Sequence, residues 1–383
     1  MKICYITTVP ITLDAFVLPT IRYLHEHTDW QIYVMCDEDP DFRQRLPEYV
    51  RYLSVPMKRG INLSGIGAIC KMVKIFKKEK FDLVQYSTPN ASLYASVAAK
   101  LAGIPVRLYC QWGLAFVGFG GLKRSLLKMS EKLVCRLSTW VEPDSFGNLK
   151  FSHAQKLYTP DKSSVIWHGS ASGVKLEKFD IRQKTTWRRE IRQKLSIGPN
   201  AFVYGFIGRI TGDKGINELF RAFRKLLEQE DAYLMLVGFM EKADSVSEEL
   251  YQWAQSEERV VFCDYTKVVE QYIAAMDVYV LPSYREGFGS AVVEAEAMGV
   301  PVIVSDIPGP TDAMLPDKTG LVVKKADVDT LYEAMLRMKR EPELLAEFSD
   351  AAAAFATENF EQNQLFAHIL ADRKRLMGIQ ESN

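Results

Sequence analysis

Two glutamates, Glu286 and Glu294, bracket a glycine-rich loop in the second half of the chain. The stretch 279–306 reads YVLPSYREGFGSAVVEAEAMGVPVIVSD, and its pattern predicts a strand, a loop, a helix over 290–298 and a strand over 300–304. A helix N-terminus after glycines presents free backbone N–H groups to anions. Nearby carboxylates can accept hydrogen bonds from hydroxyls. This combination suits a ligand with central phosphates and hydroxyls at both ends, such as a nucleotide-sugar; two surface glutamates on an ordinary α/β helix are the alternative.

A second glycine-rich loop precedes the first in the chain. Residues 204–215, YGFIGRITGDKG, predict a strand that runs into a loop holding Arg209 and Lys214 and then into a helix. Glycines let the backbone approach a phosphate, and Arg and Lys neutralise its charge. The loop is neither G-x-G-x-x-G nor G-x-x-x-x-G-K-[ST], so it indicates neither a dinucleotide site nor a P-loop NTPase. A basic turn with a structural glycine is the alternative interpretation.

Short apolar runs alternate with helical patterns along the whole chain. This alternation predicts an α/β protein with two doubly wound, Rossmann-like parallel sheets, one in a domain over 1–170 and one over 171–361. A length of 383 residues also favours two domains. Within the first domain the pattern predicts a loop over 9–12, a helix over 15–27 interrupted at Pro19, and a strand over 165–167.

Composition restricts the class of protein. Hydrophobic residues make up 48% of the chain and charged residues 25%, which is typical of a soluble globular protein. We expect no transmembrane helix, because no apolar run approaches the length of a membrane span, and no signal peptide at the start. The six cysteines are scattered without a C-x-x-C pair. We therefore expect free thiols, no zinc site and a cytoplasmic location.

Basic residues concentrate in the first half. Residues 1–170 hold 22 Lys and Arg against 14 Asp and Glu, and residues 55–136 hold 14 against 3. Nucleic acid is disfavoured as a partner, because the net charge is zero and no aromatic–basic interleaving occurs. The basic helices could contact the inner face of the plasma membrane peripherally, and a solvated helix face is the alternative. Two predicted helices carry most of these residues: Lys71, Lys74, Lys77, Lys78 and Lys80 on one, and Lys123, Arg124, Lys128, Lys132 and Arg136 on another whose other side is apolar.

The motifs of the second half, taken together, resemble glycosyltransferase family 4, whose members are retaining enzymes with the GT-B fold. The resemblance covers the second half in order, whereas the first half matches only in general layout. It rests on G-R-x4-K-G at 208–215, Gly238, LPSYREGFG at 281–289, E-x7-E at 286–294, G-x-P-V-I at 299–303, SDIPGPTDAM at 305–314 and the turn at Gly320.

The resemblance implies two domains facing across a cleft, with the segment 362–383 packing back on the acceptor-binding first domain. It implies a nucleotide-sugar donor, a UDP-sugar by the habit of the family, with no metal and no cofactor. Arg209, Lys214 and Glu286 are implied as catalytic, the two cations holding the diphosphate and Glu286 the sugar hydroxyls. Glu294 is implied to bind the ribose, and Tyr265, in the strand end 262–265, to lie near the nucleobase. Backbone contacts to the donor are implied at Gly208, Gly238, Gly287, Phe288 and Gly289.

Three positions depart from the family pattern. The loop after the first strand reads Thr8–Thr12 instead of Gly-Gly, Asp312 follows Pro308-Gly309 where Gly-Gly and Glu are usual, and Trp112 stands where a histidine is common. Gln111 and Trp112 are then the acceptor-side candidates, with Asp14 and His168 as further ones, and Glu296 is expected on the helix surface. The implied acceptor is a lipid-linked sugar or oligosaccharide of a bacterial surface polysaccharide. An epimerase of the same fold and a non-catalytic nucleotide-sugar binder remain alternatives.

Overall fold

The protein is seen in a computed structural model that describes residues 1–57, 64–240 and 246–379, with the backbone alone at Ser64. The last four residues of the segment predicted over 362–383 lie outside this range. The chain divides into two compact units. The first comprises Met1–Ser172 with Asn363–Asn383, and the second comprises Gly173–Gln362.

A six-stranded parallel sheet forms the centre of the first unit. Its strands are β1 (Lys2–Ile6), β2 (Gln31–Cys36), β3 (Val50–Ser54), β4 (Leu83–Tyr86), β5 (Val106–Gln111) and β6 (Trp140–Pro143). Their order is β3-β2-β1-β4-β5-β6, so the direction of the winding reverses between β1 and β4. In register, Ile3 of β1 lies opposite Ile32 of β2 and Leu83 of β4. The strands read as continuous apolar runs because helices cover both faces of the sheet.

Helices fill both faces of this sheet. They are α1 (Pro10–Phe16), α2 (Leu18–His27), α3 (Pro40–Arg45), α4 (Ser64–Glu79), α5 (Pro89–Ala102), α6 (Gly121–Leu137) and α7 (Phe146–Ala154). Alternate residues of β1 serve the two faces, as the period of two in a strand requires. Cys4 and Ile6 pack in the cluster that holds α4, α5 and α6, whereas Ile3 and Tyr5 pack with α1 and α2.

The second unit repeats this architecture. Its strands are β7 (Val203–Ile207), β8 (Tyr233–Val237), β9 (Val260–Cys263), β10 (Val278–Leu281), β11 (Val302–Ser305) and β12 (Gly320–Val323), in the order β12-β11-β10-β7-β8-β9. Its helices are α8 (Lys184–Lys194), α9 (Ile216–Leu226), α10 (Glu248–Ser256), α11 (Val269–Ala274), α12 (Ser290–Ala297), α13 (Val328–Arg340) and α14 (Pro342–Phe360). The winding reverses between β7 and β10. Two Rossmann-like doubly wound sheets, as predicted, are confirmed.

The last helix, α15 (Gln362–Leu376), packs in the first unit. Leu365, Phe366 and Ile369 form a small apolar cluster with Ile166. Arg373, which is 1% exposed, donates to both carboxylate oxygens of Glu142 on β6, at 2.5 and 3.0 Å, and to Gln85 on β4 at 3.1 Å. The buried guanidinium of Arg373 therefore holds α15 against the strands of this sheet.

Two local predictions are wrong, and one short helix was not predicted. The loop predicted over 9–12 is the start of α1, because Pro10 takes the first helical position, where its missing N–H costs nothing. The helix α3 was not predicted; it is only six residues long, and Asp39 caps it by accepting from the Phe42 N–H at 2.8 Å. Residues 165–167 form no strand; Ser163 makes an isolated bridge to Val141 instead.

Candidate active site

The loops after β7 and β10 meet where the winding of the second sheet reverses. Ligands of open α/β sheets bind at such a point, outside the carboxyl ends of the strands. The loops are fastened to each other by backbone: Tyr284 N–H donates to the Asp213 carbonyl at 2.9 Å. Gly215, at φ +72°, lies so close to Pro282 that a Cβ would overlap the Pro282 carbonyl oxygen. Only glycine permits this approach, so the two candidate loops are held side by side.

An ion pair joins the candidate catalytic residues of the two loops. Lys214 Nζ donates to Glu286 Oε1 at 2.5 Å, and the side chains are only 18% and 13% exposed. Ser283 Oγ donates to the same Glu286 oxygen at 2.7 Å. These two hydrogen bonds orient the lysine and the carboxylate relative to each other, an arrangement that suits electrostatic preorganisation.

Asp213 forms a second link between the loops. Its Oδ2 accepts from Arg285 Nη2 at 3.0 Å and its Oδ1 from Thr211 Oγ1 at 2.5 Å. Burial alone would raise the pKa of Asp213, but the Thr211 hydrogen bond and the charges of Arg285, Lys214 and Arg209 together lower it. Three cations therefore surround two carboxylates, Asp213 and Glu286. The resulting charge of one positive unit suits an anionic ligand, and the exposed Arg209 is open to solvent.

Glycines shape the rest of this edge. Gly208 and Gly238 follow β7 and β8 at φ +149° and +141°, and a Cβ on Gly238 would overlap the Gly208 carbonyl oxygen. Gly289 caps α12 at φ +89°, and a Cβ on Gly309 would overlap the Gly287 carbonyl oxygen. The strand ends are thereby drawn together beneath the start of α12, where backbone N–H groups are available to an anion.

Phe288 is buried, whereas Tyr265 is exposed. The Phe288 ring is buried and packs on Phe360 at a centroid distance of 5.3 Å, so only its backbone can meet a ligand. Tyr265, just beyond β9, is exposed, as is Phe262. An exposed aromatic at the end of a strand offers a stacking surface for a base.

Glu294 lies on α12, one helical turn beyond Ser290. Burial raises its pKa to about 7, with Lys178 lowering and Glu270 raising it. Lys178 Nζ is 3.5 Å from Glu270 Oε2, so this lysine pairs with the neighbouring acid. Among the described residues, Glu294 itself has no hydrogen-bond or ion-pair partner. It is thus a carboxyl group that titrates near neutrality and is available to accept hydrogen bonds.

Glu296 was expected on the helix surface, and this prediction is wrong. The side chain is fully buried and accepts from Thr319 Oγ1 at 2.5 Å, and burial raises its pKa well above the usual value. The hydrogen bond from Thr319 fastens α12 to the turn before β12. Residues two positions apart lie on nearly opposite sides of a helix, so the spacing of Glu294 and Glu296 is compatible with burial of one of them.

Gln111 ends β5 and has no exposed surface. Its amide nitrogen donates to Glu131 Oε1 of α6 at 2.6 Å, and its carbonyl oxygen accepts from Ser152 and Tyr158 at 2.9 and 3.0 Å. Burial raises the pKa of Glu131 to about 7, although bonds from Gln111 and Tyr109 oppose this. With its amide used in this way, Gln111 can meet an acceptor only through a local opening.

Trp112 sits on the other face of the sheet from this network, against the Phe16 ring at a centroid distance of 5.7 Å. It borders a cavity of about 20 Å³, room for about one water molecule. Two buried groups of the cavity wall, Tyr5 Oη and Arg373 Nε, have no hydrogen-bond partner among the residues that the structure describes. The wall includes Tyr5, Phe16, Thr20, Gln85, Trp112 and Arg373.

The other first-unit candidates are placed as follows. Asp14 pairs with Arg45 at 3.0 Å. His168 lies beside Trp167, and burial, aided by His368, lowers its pKa. At the reversal point of the first sheet, Thr8 and Thr88 place their Oγ1 atoms 2.8 Å apart, and Thr88 adopts φ +69°. At Thr8, where the sequence departs from the family pattern, the side chain thus hydrogen-bonds to Thr88 and links the loops after β1 and β4.

No three His, Cys, Asp or Glu side chains come together as a metal site within the residues that the structure describes. In the same ranges no helix is both long and apolar enough to cross a bilayer.

Known sequences identify the family. Residues 188–355 match the family described as glycosyl transferases group 1, and residues 2–141 match glycosyl transferase 4-like proteins. Over 286 residues the chain is 31% identical to CapM of Staphylococcus aureus, a capsular polysaccharide biosynthesis glycosyltransferase, with 74% of each chain covered. The chain is a family 4 glycosyltransferase. The resemblance read from the motifs is therefore confirmed, and the protein is a transferase.

A second relative covers more of this glycosyltransferase. It is the UDP-Gal:alpha-D-GlcNAc-diphosphoundecaprenol alpha-1,3-galactosyltransferase of Escherichia coli, 27% identical over 324 residues, covering 81% of this chain and 80% of that one. Among solved structures, Anabaena HepE in complex with UDP superposes with a TM-score of 0.79 at 19% identity, covering 98% of this chain and all of that one. The structural likeness confirms the GT-B fold.

Proposed function

We propose that this glycosyltransferase moves a sugar from a UDP-sugar, with retention of configuration, to a lipid-linked sugar in the synthesis of a bacterial surface polysaccharide. The observation that carries the proposal is the Lys214–Glu286 ion pair at the reversal point of the second sheet, with Arg209 on the same loop. A cation for phosphate and a carboxylate for hydroxyls meet there, as a nucleotide-sugar requires.

The donor lies along this edge with its diphosphate at Arg209, Lys214 and the start of α12. Glu286 accepts hydrogen bonds from the hydroxyls of the sugar. Glu294 accepts from the ribose, and the base rests near Tyr265. Positive charge at the phosphates comes from Arg209 and Lys214, so the proposed reaction uses no metal ion and no cofactor.

The acceptor hydroxyl attacks the anomeric carbon from the face that the diphosphate leaves. The new carbon–oxygen bond forms as the bond to the phosphate oxygen breaks, and the acceptor proton passes to that phosphate oxygen. Lys214 and Arg209 stabilise the charge that develops on the leaving diphosphate. This route needs no histidine, which agrees with Trp112 at the position where a histidine is common.

Two relatives support the choice of substrates. The Escherichia coli relative is named for a UDP-galactose donor and a diphosphoundecaprenol acceptor. HepE has also been solved with UDP-glucose. On the acceptor side, the half-buried rings of Trp112 and Phe16 offer apolar surface on which a sugar ring can stack. We place the reaction on the cytoplasmic side, at the membrane that holds a lipid-linked acceptor.

The proposal is tested by release of UDP from UDP-glucose, UDP-galactose and their N-acetylated forms, with a lipid extract as acceptor source. Lys214→Ala should cut turnover by on the order of 10²-fold, because a charge aimed at the leaving group is lost. Lys225→Ala is the matched control, since Lys225 forms an exposed ion pair with Asp329 in the same unit. Near-wild-type turnover of Lys214→Ala would overturn the assignment, and tighter binding of GDP than of UDP by calorimetry would overturn the donor.

A further inference from the structure

A cavity of about 20 Å³ lies between the sheet of the first unit and the helices α1, α2 and α15. Tyr5 and Gln85 line it from the sheet, and Thr20 and Arg373 line it from α2 and α15. The half-buried Trp112, which follows β5, also lines it, so part of the wall has exposed surface. The volume holds one water-sized group, and the polar side chains of the wall suit a polar one.

Arg373 brings an unused hydrogen-bond donor to this cavity. Its two Nη groups donate to Glu142 at 2.5 and 3.0 Å, to Asp372 at 2.9 Å and to Gln85 at 3.1 Å. These bonds use four of the five N–H donors of a guanidinium. The fifth, on Nε, is buried and has no hydrogen-bond partner within the described part of the chain. A buried donor in this state is costly, so a ligand that accepts from it is favoured.

Tyr5 brings a second unused polar group. Its side chain is 1% exposed, and its Oη has no hydrogen-bond partner among residues 1–57, 64–240 and 246–379. Burial raises the pKa of Tyr5, so the phenol keeps its proton and can both donate and accept. Arg373 Nε can only donate. One oxygen that accepts from Arg373 and exchanges a hydrogen bond with Tyr5 would therefore satisfy both groups.

The charges beside the cavity favour a neutral ligand. Glu142 and Asp372 both pair with Arg373, and Asp372 also pairs with Arg375 at 2.6 Å. Two carboxylates thus balance two guanidinium groups, which leaves no net charge for an anion. An apolar ligand would leave the donor of Arg373 and the hydroxyl of Tyr5 unsatisfied. The chemistry that remains is a single hydroxyl oxygen, that of water or of an alcohol.

We propose that the cavity is a binding site for one neutral hydroxyl oxygen, held by Arg373 Nε and Tyr5 Oη. Two sources can supply this oxygen. A water molecule fits the volume and can make both bonds. A hydroxyl of the acceptor sugar can take the same place when its ring lies against Trp112, and this second source rests on the proposed function. A cavity of this volume has no room for an N-acetyl group or a phosphate.

Tyr5→Phe tests for water through the sign of its effect on stability. The variant keeps the ring and removes Oη. If water bridges the two groups, the variant loses a hydrogen bond, and the equilibrium constant for unfolding in urea should rise about tenfold. If no water is held, the variant removes a buried polar group without a partner, and it should be at least as stable as wild type. In a crystal structure of wild type, the water should give a density peak about 2.7–3.2 Å from both atoms.

The matched control is Tyr86→Phe. Tyr86 is a buried tyrosine of the neighbouring strand β4, and its Oη lies 2.6 Å from Ser138 Oγ. This variant loses a direct hydrogen bond, so its equilibrium constant for unfolding should also rise about tenfold. It calibrates the effect expected of Tyr5→Phe, and circular dichroism checks the fold of both variants.

The acceptor as the source is tested by turnover. With the lipid extract as acceptor, Tyr5→Phe should need about tenfold more extract for half-maximal release of UDP, with kcat and the Kd for UDP unchanged. A loss of stability without this change assigns the site to water, and the change without a loss of stability assigns it to the acceptor. A variant that is at least as stable as wild type and half-saturated by the same amount of extract overturns the inference.

Calorimetry with UDP separates this inference from the proposed function. The loss of stability and the density peak need no donor, so they uphold the site even where UDP does not bind. Binding of UDP and turnover, together with a Tyr5→Phe variant that matches wild type in stability and in half-saturation, uphold the proposed function while this inference fails.

Discussion

Donor binding should depend on pH through Glu294. Burial raises the pKa of this carboxyl to about 7, so it is half ionised near neutrality. An ionised carboxylate can accept from both ribose hydroxyls, whereas the protonated acid must use one oxygen as a donor. Binding of a UDP-sugar should therefore favour the ionised form, and affinity should fall as the pH falls through the pKa.

The size of the effect follows from the pKa. About one molecule in eleven has an ionised Glu294 near pH 6, and about ten in eleven near pH 8. The Kd for UDP-glucose should thus be about tenfold weaker near pH 6 than near pH 8. UDP-glucose is the suitable probe, because its diphosphate is esterified at both ends and takes up no proton in this range.

Calorimetry at the two pH values measures the Kd. Glu294→Gln should bind more weakly than wild type near pH 8 and show no pH dependence, and Glu343→Gln, at an exposed position on α14, should behave as wild type. The Glu294→Gln variant is needed because another group of the second unit could titrate in the same pH range. Residues 173–362 contain no histidine, but burial lowers the pKa of Lys184 to about 8. Equal wild-type affinity at both pH values would refute the reasoning, as would a variant that keeps the wild-type pH dependence.

Two further predictions concern the first unit. The raised pKa of Glu131 means that the folded state holds this proton more tightly than the unfolded chain, so its contribution to stability is present at low pH and is lost as the pH rises through about 7. Through Glu131, the free energy of unfolding of the wild type should fall by about 2–3 kcal/mol between about pH 5 and pH 8. Glu131→Gln should lack this fall when urea unfolding is measured at the two pH values. Arg373→Met should cost about 3–5 kcal/mol in the same assay, because Glu142 would be left buried and unpaired.

Each of these predictions has a discriminating comparison. Glu131→Gln keeps an oxygen that can accept from Gln111 and Tyr109, so a stability profile parallel to wild type would show that Glu131 does not titrate as inferred. Adding Glu142→Gln to Arg373→Met removes the stranded charge and should recover part of the loss. A double variant as unstable as the sum of the two single changes would refute the charge argument.

The elements of the second unit were predictable because their signals are local. The helix predicted over 290–298 is Ser290–Ala297 in the structure, and the strand predicted over 300–304 is Val302–Ser305. Parallel strands that are buried on both faces read as short apolar runs, and glycine or charged residues mark their ends. The helix α1 escaped because Pro10 suggested a break, although proline is favoured at the first helical position.

The contacts of the site depend on residues that are distant in the chain. The motifs indicated Lys214 and Glu286 separately. Their ion pair joins residues 72 positions apart in sequence, and it exists because β7 and β10 are neighbours in the sheet. The burial of Gln111 likewise comes from Glu131, Ser152 and Tyr158, which other elements bring to it. Sequence patterns give the face of an element but not which partners will cover it. Asp213 and Arg285, the second link between the loops, lay inside the two motifs without any sign that they would pair.

Three close backbone approaches at the edge of the second sheet have a consequence for how this fold can diversify. Gly215 meets Pro282, Gly238 meets Gly208, and Gly309 meets Gly287, each too closely for a side chain. The main chain therefore aligns the loops at three points, in addition to the side-chain links Lys214–Glu286 and Asp213–Arg285. Projecting side chains outside these two pairs can change one at a time while the backbone approaches stay in place. A chain of this fold could thus change its sugar specificity while the proposed diphosphate site kept its backbone, whereas a change at one of these glycines would disturb both.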